Sequence, residues 1–559
     1  MPAIYSETGN DWLQYDAQGR VVVDYRTTNP APSVAVYYSY DAAGNIVSMT
    51  YPSGRTVNFG RDAIGRISSI TTRQNSAAQD QAILWLAQWN PYGPLASMSF
   101  NNGQTTNFTL DSSYRVKRVQ TGWSASPSGS VDLNLSWTGD MVDSIVDNNN
   151  PGTSPPFTYG AQSQSFTYTP TRRLASASGY YGQYSWTYDG VGNRLTETGN
   201  GVLSSYLYPL GSNRLQSVVS GSSTRSLGYD AAGDVASDSS AAGSNIAMNY
   251  SYDVEGRLAK ASRAGAPSNG GSYGYDALNR LVSRTVTSGA TTTTTLYVHD
   301  THNHIIAELD SAGVTHREYI WLNDLPVAVV DQVNTATPQV YMVHTDHLGR
   351  PVLMISTAGA WVWNAIYNPF GAVSYIWSSP AVMDIRFPGQ WFQLETGLAY
   401  NWHRHYDASL GRYIQPDPLR VDEKTGPTIA GVSPLLLVPG ALSADENIRL
   451  AGAPLLSSVA PATADTSPLR SNYPDGPSIY GYGAQNPLAK KDPSGLAVGG
   501  GGFSIKNSSN ISKCVNCDAV LRGCRQGCSD MFVEGLIRGP GDLRKCIREC
   551  MQAHDCHDF

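Results

Sequence analysis

Cysteine is missing from most of this 559-residue chain: none precedes Cys514, and all seven fall in the tail that ends at Phe559. The seam is "KKDPSGLAVGGGG", residues 490 to 502, where a body rich in Tyr, Gly, Ser and Thr gives way to a short cysteine-rich segment. A surplus of positive charge is missing too. Lys and Arg number 38 against 45 Asp and Glu, a formal net charge of -7, so no basic stripe invites nucleic acid or an anionic membrane surface. No uninterrupted apolar run reaches the ~18 residues of a membrane-crossing helix, and "MPAIYSETGN" lacks the basic-then-apolar start of a signal peptide. A secreted or cell-surface protein of this kind would leave the cytoplasm by a route without a visible signal, or be a truncation of a longer chain. Apolar spacing at i, i+3 and i+4 is scarce before residue 500, which argues against a helical solenoid.

What is present is a repeat. "YDAQGRVVV" begins at Tyr15, "YDAAGNIVS" at Tyr40, "YDGVGNRLT" at Tyr188, "YDAAGDVAS" at Tyr229, "YDVEGRLAK" at Tyr252 and "YDALNRLVS" at Tyr275, with weaker copies at Asp62, Asp111, Asp300 and Asp346. From Asp230 the steps to Asp253, Asp276 and Asp300 are 23, 23 and 24 residues. Each unit reads as a β-hairpin: Asp makes a side-chain turn, Gly or Asn accepts positive φ, and Tyr with β-branched residues fits the flanking pleated surface. Hairpins every twenty-odd residues build one long sheet, whose open edges call for curling or capping. The fold class is therefore mainly β, and a sandwich or propeller of generic strands is the plainer alternative.

These units resemble the YD repeats of the Rhs family, which includes bacterial wall-associated toxins, insecticidal toxin-complex C components and teneurins. The resemblance runs from about Tyr15 to Leu496 and implies a YD-repeat shell over 1–345, winding into a hollow β-cocoon. "HTDHLGRPVLMIS", "NWHRHYDASLGRYIQPDPL" and "SIYGYGAQNPLAKKDPSGL" resemble the Rhs-associated core, a plug expected over 346–496 with an insertion at about 419–475. A variable segment follows over 497–559, the shell's own cargo.

Two Asp-Pro pairs stand in the core, Asp417-Pro418 and Asp492-Pro493. Proline restricts the residue before it, so each aspartate is presented on a stiff backbone, which suits both a turn and a catalytic pair. The resemblance implies self-cleavage after the Leu of the DPxGL motif by two aspartates and an arginine. Matched residue by residue, these are Asp417, Asp492 and Arg404, with the cut between Leu496 and Ala497. Arg404 would hold one carboxylate ionised through a paired hydrogen bond, or serve as a structural ion pair. Tyr406, Asp407, Gly411 and Arg412 read as motif scaffold. The 75 positions from Asp417 to Asp492 exceed the family's usual few tens, which challenges the meeting of the two aspartates.

In the tail, "AVGGGG" reads as a flexible spacer. Cys524 and Cys528, and Cys546 and Cys550, are i, i+4 pairs on either side of a Gly-Pro-Gly break, disulfide candidates for a stapled helical hairpin. Zinc is the alternative, drawing on Cys514, Cys517, His554, Cys556 and His557. The segment has no deaminase or nuclease signature, and no cofactor is expected. His299, His302 and His304 are weaker metal candidates, and exposed strand histidines are the simpler reading. His403 and His405, beside Arg404, read as packing or surface residues.

Together these features point to a polymorphic-toxin shell that encloses or presents a C-terminal effector, with an immunity protein and a delivery apparatus as partners. The other reading is a non-enzymatic, teneurin-like shell for adhesion or recognition, displaying a disulfide-rich module.

Overall fold

The computed structural model describes residues 3–28, 31–91, 93–149, 162–244, 246–378, 380–418, 478–496 and 499–500. The cysteine-rich tail with its disulfide and zinc candidates, Ala497, and the insertion at 419–475 lie outside these residues. Among the described residues, 33 strands join in one antiparallel sheet, and no helix is long and apolar enough to cross a membrane. The expected mainly β fold is what the chain adopts. The large sheet continues past residue 345, through Pro351–Ser356 and Trp361–Tyr367 to Val373–Ser378.

The repeat motif closes each hairpin in the same way. In the first copy the Asp16 carboxylate accepts from the backbone N–H groups of Gln18 and Arg20, each at 2.9 Å, while Arg20 Nε donates to Asp16 Oδ2 at 2.7 Å. Gly19 takes φ +77°. Asp62, Asp111, Asp253, Asp276 and Asp346 repeat that carboxylate–arginine closure. Where glycine is absent, Asn279 (φ 62°) and Asn303 (φ 69°) occupy the left-handed position, which asparagine tolerates better than most residues. The pairing register slips at each motif tyrosine, as between Gln14 and Tyr15, the mark of a β-bulge that bends the strand.

A second set of contacts couples each repeat to the one before. Tyr40 Oη donates to Val21 O at 2.6 Å, Tyr229 to Leu215 O at 3.0 Å, Tyr252 to Val235 O at 2.7 Å and Tyr275 to Leu258 O at 2.9 Å. Trp89, Trp137 and Trp321 do the same through Nε1. Each acceptor directly follows the preceding turn. The turn arginines then lie over the next ring, Arg20 over Tyr40 and Arg257 over Tyr275, in cation–π contact.

The sheet also folds back on itself. Thr8 Oγ1 donates to Tyr275 O at 2.7 Å, Arg26 reaches Asp276 at 3.1 Å, and Arg55 reaches Glu318 at 2.6 Å. Tyr51, fully buried, donates to Tyr319 O at 2.9 Å. Strands separated by some 260 residues thus share one interior, and their inward side chains form the main hydrophobic core.

Against the repeats packs a second sheet of four short strands, Trp391–Gln393, Leu398–Asn401, Arg404–Asp407 and Arg412–Tyr413. The expected scaffold residues fasten it. Asp407 pairs with Arg225 at 2.5 Å, Arg412 donates to Asn213 O at 2.8 Å, and Tyr406 donates to Phe370 O at 2.8 Å.

Of the three histidines His302 is exposed, as expected, while His299 and His304 are not. His299 is buried, and burial lowers its pKa to about 3. His304 lies between Asp300 and Asp324 at 3.0 and 3.2 Å, which hold it protonated with a pKa of about 10. It belongs to a repeat turn, and among the described residues no cluster suited to a metal ion occurs.

Candidate active site

The seam shares part of the repeat turn's geometry. Asp492 Oδ1 accepts the backbone N–H of Leu496, four residues on, at 3.0 Å, and Gly495 between them has φ +71°. In the ordinary repeat turn the fourth residue is often arginine, which covers the second carboxylate oxygen. In "DPSGL" that residue is Leu496, so Oδ2 of Asp492 is left for donors from elsewhere in the chain. Arg404 supplies one, Nη2 to Oδ2 at 3.1 Å, and Tyr413 supplies another, Oη to Oδ2 at 2.8 Å.

Arg404 spans the site. While Nη2 meets Asp492, Nη1 lies 3.5 Å from Asp417 Oδ2, and Nε donates to the main-chain oxygen of Gly495. Sequence matching anticipated a paired hydrogen bond to one carboxylate; the guanidinium instead bridges two. Its face rests 3.7 Å from the Tyr413 ring centre. Arg404 and Asp492 are fully buried, and Asp417 keeps only 8% of its surface.

The 75-residue separation does not keep the aspartates apart. Residues on both sides of the insertion pair directly: Asp417 N donates to Ile479 O at 2.9 Å, Tyr413 N donates to Tyr480 O at 2.9 Å, and Arg412 forms a bridge with Gly481. Downstream, Lys490 and Lys491 pair with Gly500 and Gly499. Two of the expected spacer glycines therefore serve as a strand partner.

Gly495 is required sterically as well as conformationally. A Cβ there would stand 2.4 Å from Asn401 O, far inside contact distance. His403 and His405 are kept neutral by burial, each with its pKa lowered to about 4, so neither adds charge beside Arg404 near neutral pH. His405 packs against the Tyr400 ring, in line with a packing role.

Two members of the site went unnoticed in the sequence, Asn401 and Tyr413. Asn401 Nδ2 donates to Asp492 O at 2.8 Å and to Tyr413 Oη at 2.7 Å. Both stand in the quoted core segment, but their convergence depends on the four-stranded sheet, in which Asn401 pairs with Arg404 and Tyr406 with Tyr413.

Comparison with known proteins agrees with this architecture. The chain is 42% identical over 91 residues to the putative uncharacterized protein YibJ of Escherichia coli, covering 16% of this chain and 39% of that one. It is 36% identical over 95 residues to the toxin protein Tse5 of Pseudomonas aeruginosa, 17% of this chain and 7% of that one. It is 30% identical over 110 residues to the double-stranded DNA deaminase toxin A of Burkholderia cenocepacia, 19% of this chain and 8% of that one. The chain thus spans well under half the length of these curated relatives. Among solved structures, a Photorhabdus luminescens Tc holotoxin pore carrying a TccC3 mutation matches 88% of this chain and 24% of its own, with TM-score 0.67 and 15% identity, a likeness of fold. The RHS Repeat family model matches residues 40–77. The Teneurin YD-shell family model matches residues 104–431, more than half of the sequence, and the chain belongs to that family.

Proposed function

We propose that this protein is a toxin-type YD shell whose core cuts its own chain after Leu496, freeing the segment 497–559 as cargo. The observation that carries this reading is the bridging of Asp417 and Asp492 by Arg404, while the second oxygen of Asp492 holds the N–H of Leu496. In this reading the two carboxylates at the Arg404 guanidinium hold one proton between them. A pair with one proton is equipped as general base and general acid.

In this scheme the ionised carboxylate takes a proton from a water molecule, whose oxygen adds to the Leu496 carbonyl carbon. The protonated partner gives its proton to the carbonyl oxygen. Collapse of the resulting diol breaks the bond to the Ala497 nitrogen, which leaves as an amine after receiving a proton, so one water is consumed. The turn contributes by fixing the Gly495–Leu496 peptide, one bond upstream of the cut, against the Asp492 carboxylate, an intramolecular arrangement that lowers the cost of bringing the groups together.

The relatives bearing toxin names support the toxin reading. It carries with it an immunity partner and a delivery apparatus that takes the chain across the cell envelope. The test is intact mass under denaturing conditions, for the wild type and for Asp492→Asn. The expected result is loss of a fragment running from Ala497 to Phe559 in the wild type alone. A single uncut chain in both would overturn self-cleavage and favour a shell that displays its tail covalently for recognition.

A further inference from the structure

The repeat turn at Asp230 departs from its sisters. In those, the aspartate takes backbone N–H groups on one oxygen and a side-chain donor on the other, Oδ2. Arg20, Arg66 and Arg257 supply that donor through Nε, at 2.7, 2.7 and 2.6 Å from Asp16, Asp62 and Asp253. Asn45 and Asn193 supply it through Nδ2, each at 2.9 Å, to Asp41 and Asp189. In "YDAAGD" the residue at that place is a second acid, Asp234. The turn still forms, because Asp230 Oδ1 accepts from the N–H groups of Gly233 and Asp234, each at 2.9 Å. Among the described residues, however, no side-chain donor reaches Oδ2 of Asp230, and none reaches the Asp234 carboxyl. We infer that Asp230 and Asp234 share one proton and form a pH-sensitive latch, which fastens the core at Ile414 and Tyr480 to the shell. A protonated Asp234 has the shape of the asparagine in two sister turns, and its O–H gives Asp230 Oδ2 the bond that Asn45 gives Asp41.

The residues on either side of Asp234 both hold the core. Val235 N donates to Ile414 O at 2.9 Å, and Gly233 O accepts from Tyr480 Oη at 2.7 Å. Ile414 and Tyr480 stand on opposite sides of the insertion, so this one turn ties both to the shell. Asp234, between the two anchors, keeps only 5% of its surface. The charged and titratable groups around the pair are spoken for elsewhere. Tyr229 on its own strand donates to Leu215 O, and Tyr252 on the next strand donates to Val235 O. From the core come Tyr480 and, 4.6 Å from its ring centre, the Arg412 guanidinium. Arg214 of the preceding turn packs against Gly233 and pairs with neither carboxyl.

Burial, and after it the charge of Asp230, raise the Asp234 pKa to about 7 against the opposing pull of Arg214. An acid whose pKa is higher in the closed turn than in the open chain binds its proton more tightly when closed. Its stabilising contribution is therefore complete below the ordinary aspartate value of 3.8 and is lost as pH rises to about 7. Above that pH two carboxylates repel each other in a buried turn, and the hold on Ile414 and Tyr480 weakens.

Hydrogen exchange of the full chain at pH 5 and pH 8, corrected for the intrinsic rate, reads the latch locally, and a thermal melt at each pH reports the whole. Between those pH values the protection of Val235 and of segment 410–417 should fall about tenfold or more further in the wild type than in Asp234→Asn, which offers a donor at every pH. Asp234→Asn should melt with the wild type at pH 5 and above it at pH 8. Asp230→Asn, which also removes the shared proton, should flatten the pH response in the same way, and it decides the matter if Asp234→Asn fails to fold. Equal pH responses in the wild type and both variants would overturn the latch. So would an Asp234→Asn chain less protected than the wild type at pH 8, since the ionised carboxyl would then be the form that holds the core. None of these readouts depends on cleavage after Leu496.

Discussion

Gly495 shows how a single residue governs the site. It combines φ +71° with an approach that would bring a Cβ within 2.4 Å of Asn401 O. Alanine there would meet a left-handed penalty of about 1–2 kcal/mol and a backbone clash besides. The strand pair Leu398–Asn401 and Arg404–Asp407 is anchored in the second sheet, so the turn, not the sheet, would give way and draw the Leu496 amide off Asp492. Gly495→Ala should slow cleavage at least tenfold while shifting the melting temperature by no more than a few degrees. Time-resolved intact mass with a thermal melt checks both halves. Equal cleavage rates would show that the turn geometry is irrelevant to processing. The glycine is visible in the sequence as part of "DPSGL"; the neighbour that forbids a side chain lies 94 positions upstream and is not.

At the level of the hairpin, the tyrosine of each motif belongs to two units, since its strand builds one hairpin and its hydroxyl secures the one before. Val235 O, the acceptor for Tyr252, is on a buried residue, so removing the donor leaves a carbonyl without that partner. Tyr252→Phe should destabilise the chain by about 1 kcal/mol, whereas Tyr37→Phe, at a side chain 47% exposed, should change nothing measurable. Urea unfolding midpoints compare the two, and equal effects would refute a role for the ladder. The turn was readable from Tyr-Asp-x-x-Gly because it is closed within five residues. Copies with other letters escaped: at Thr169 a hydroxyl replaces the carboxylate, Arg173 N donating to Thr169 Oγ1 at 3.1 Å, and Arg172 takes φ 64°. The backbone shape is the same while the motif is absent.

Across the whole molecule, the fold-back of the sheet rests in part on charge. Arg55 and Glu318 lie 2.6 Å apart with side chains 4% and 0% exposed, and Ser53 Oγ donates to the same carboxylate at 2.5 Å. Burial raises the Glu318 pKa in spite of Arg55, so desolvation outweighs attraction at this pair. Removing one member should therefore cost far more than removing both. Glu318→Ala, which strands a buried guanidinium, should lose about 3–5 kcal/mol; the double variant Arg55→Met, Glu318→Leu should recover most of it. Urea midpoints and protease susceptibility read the difference, and a double variant no better than Glu318→Ala would assign the pair a net stabilising role.

The division between chain and fold follows from range. Motif matching singled out Arg404, Asp417 and Asp492 as candidates, and repeat period, turn chemistry and the mainly β class, as properties of short segments, were present in the letters. Whether Asp417 and Asp492 would meet across a 75-residue separation was not, because it depends on the pairing of Asp417 with Ile479 and Arg412 with Gly481. Nor could the letters tell that Leu496, in place of the turn arginine, would open a carboxylate oxygen to Arg404 and Tyr413. Local hydrogen bonds write themselves into adjacent residues; a site assembled from distant strands exists only once those strands are packed.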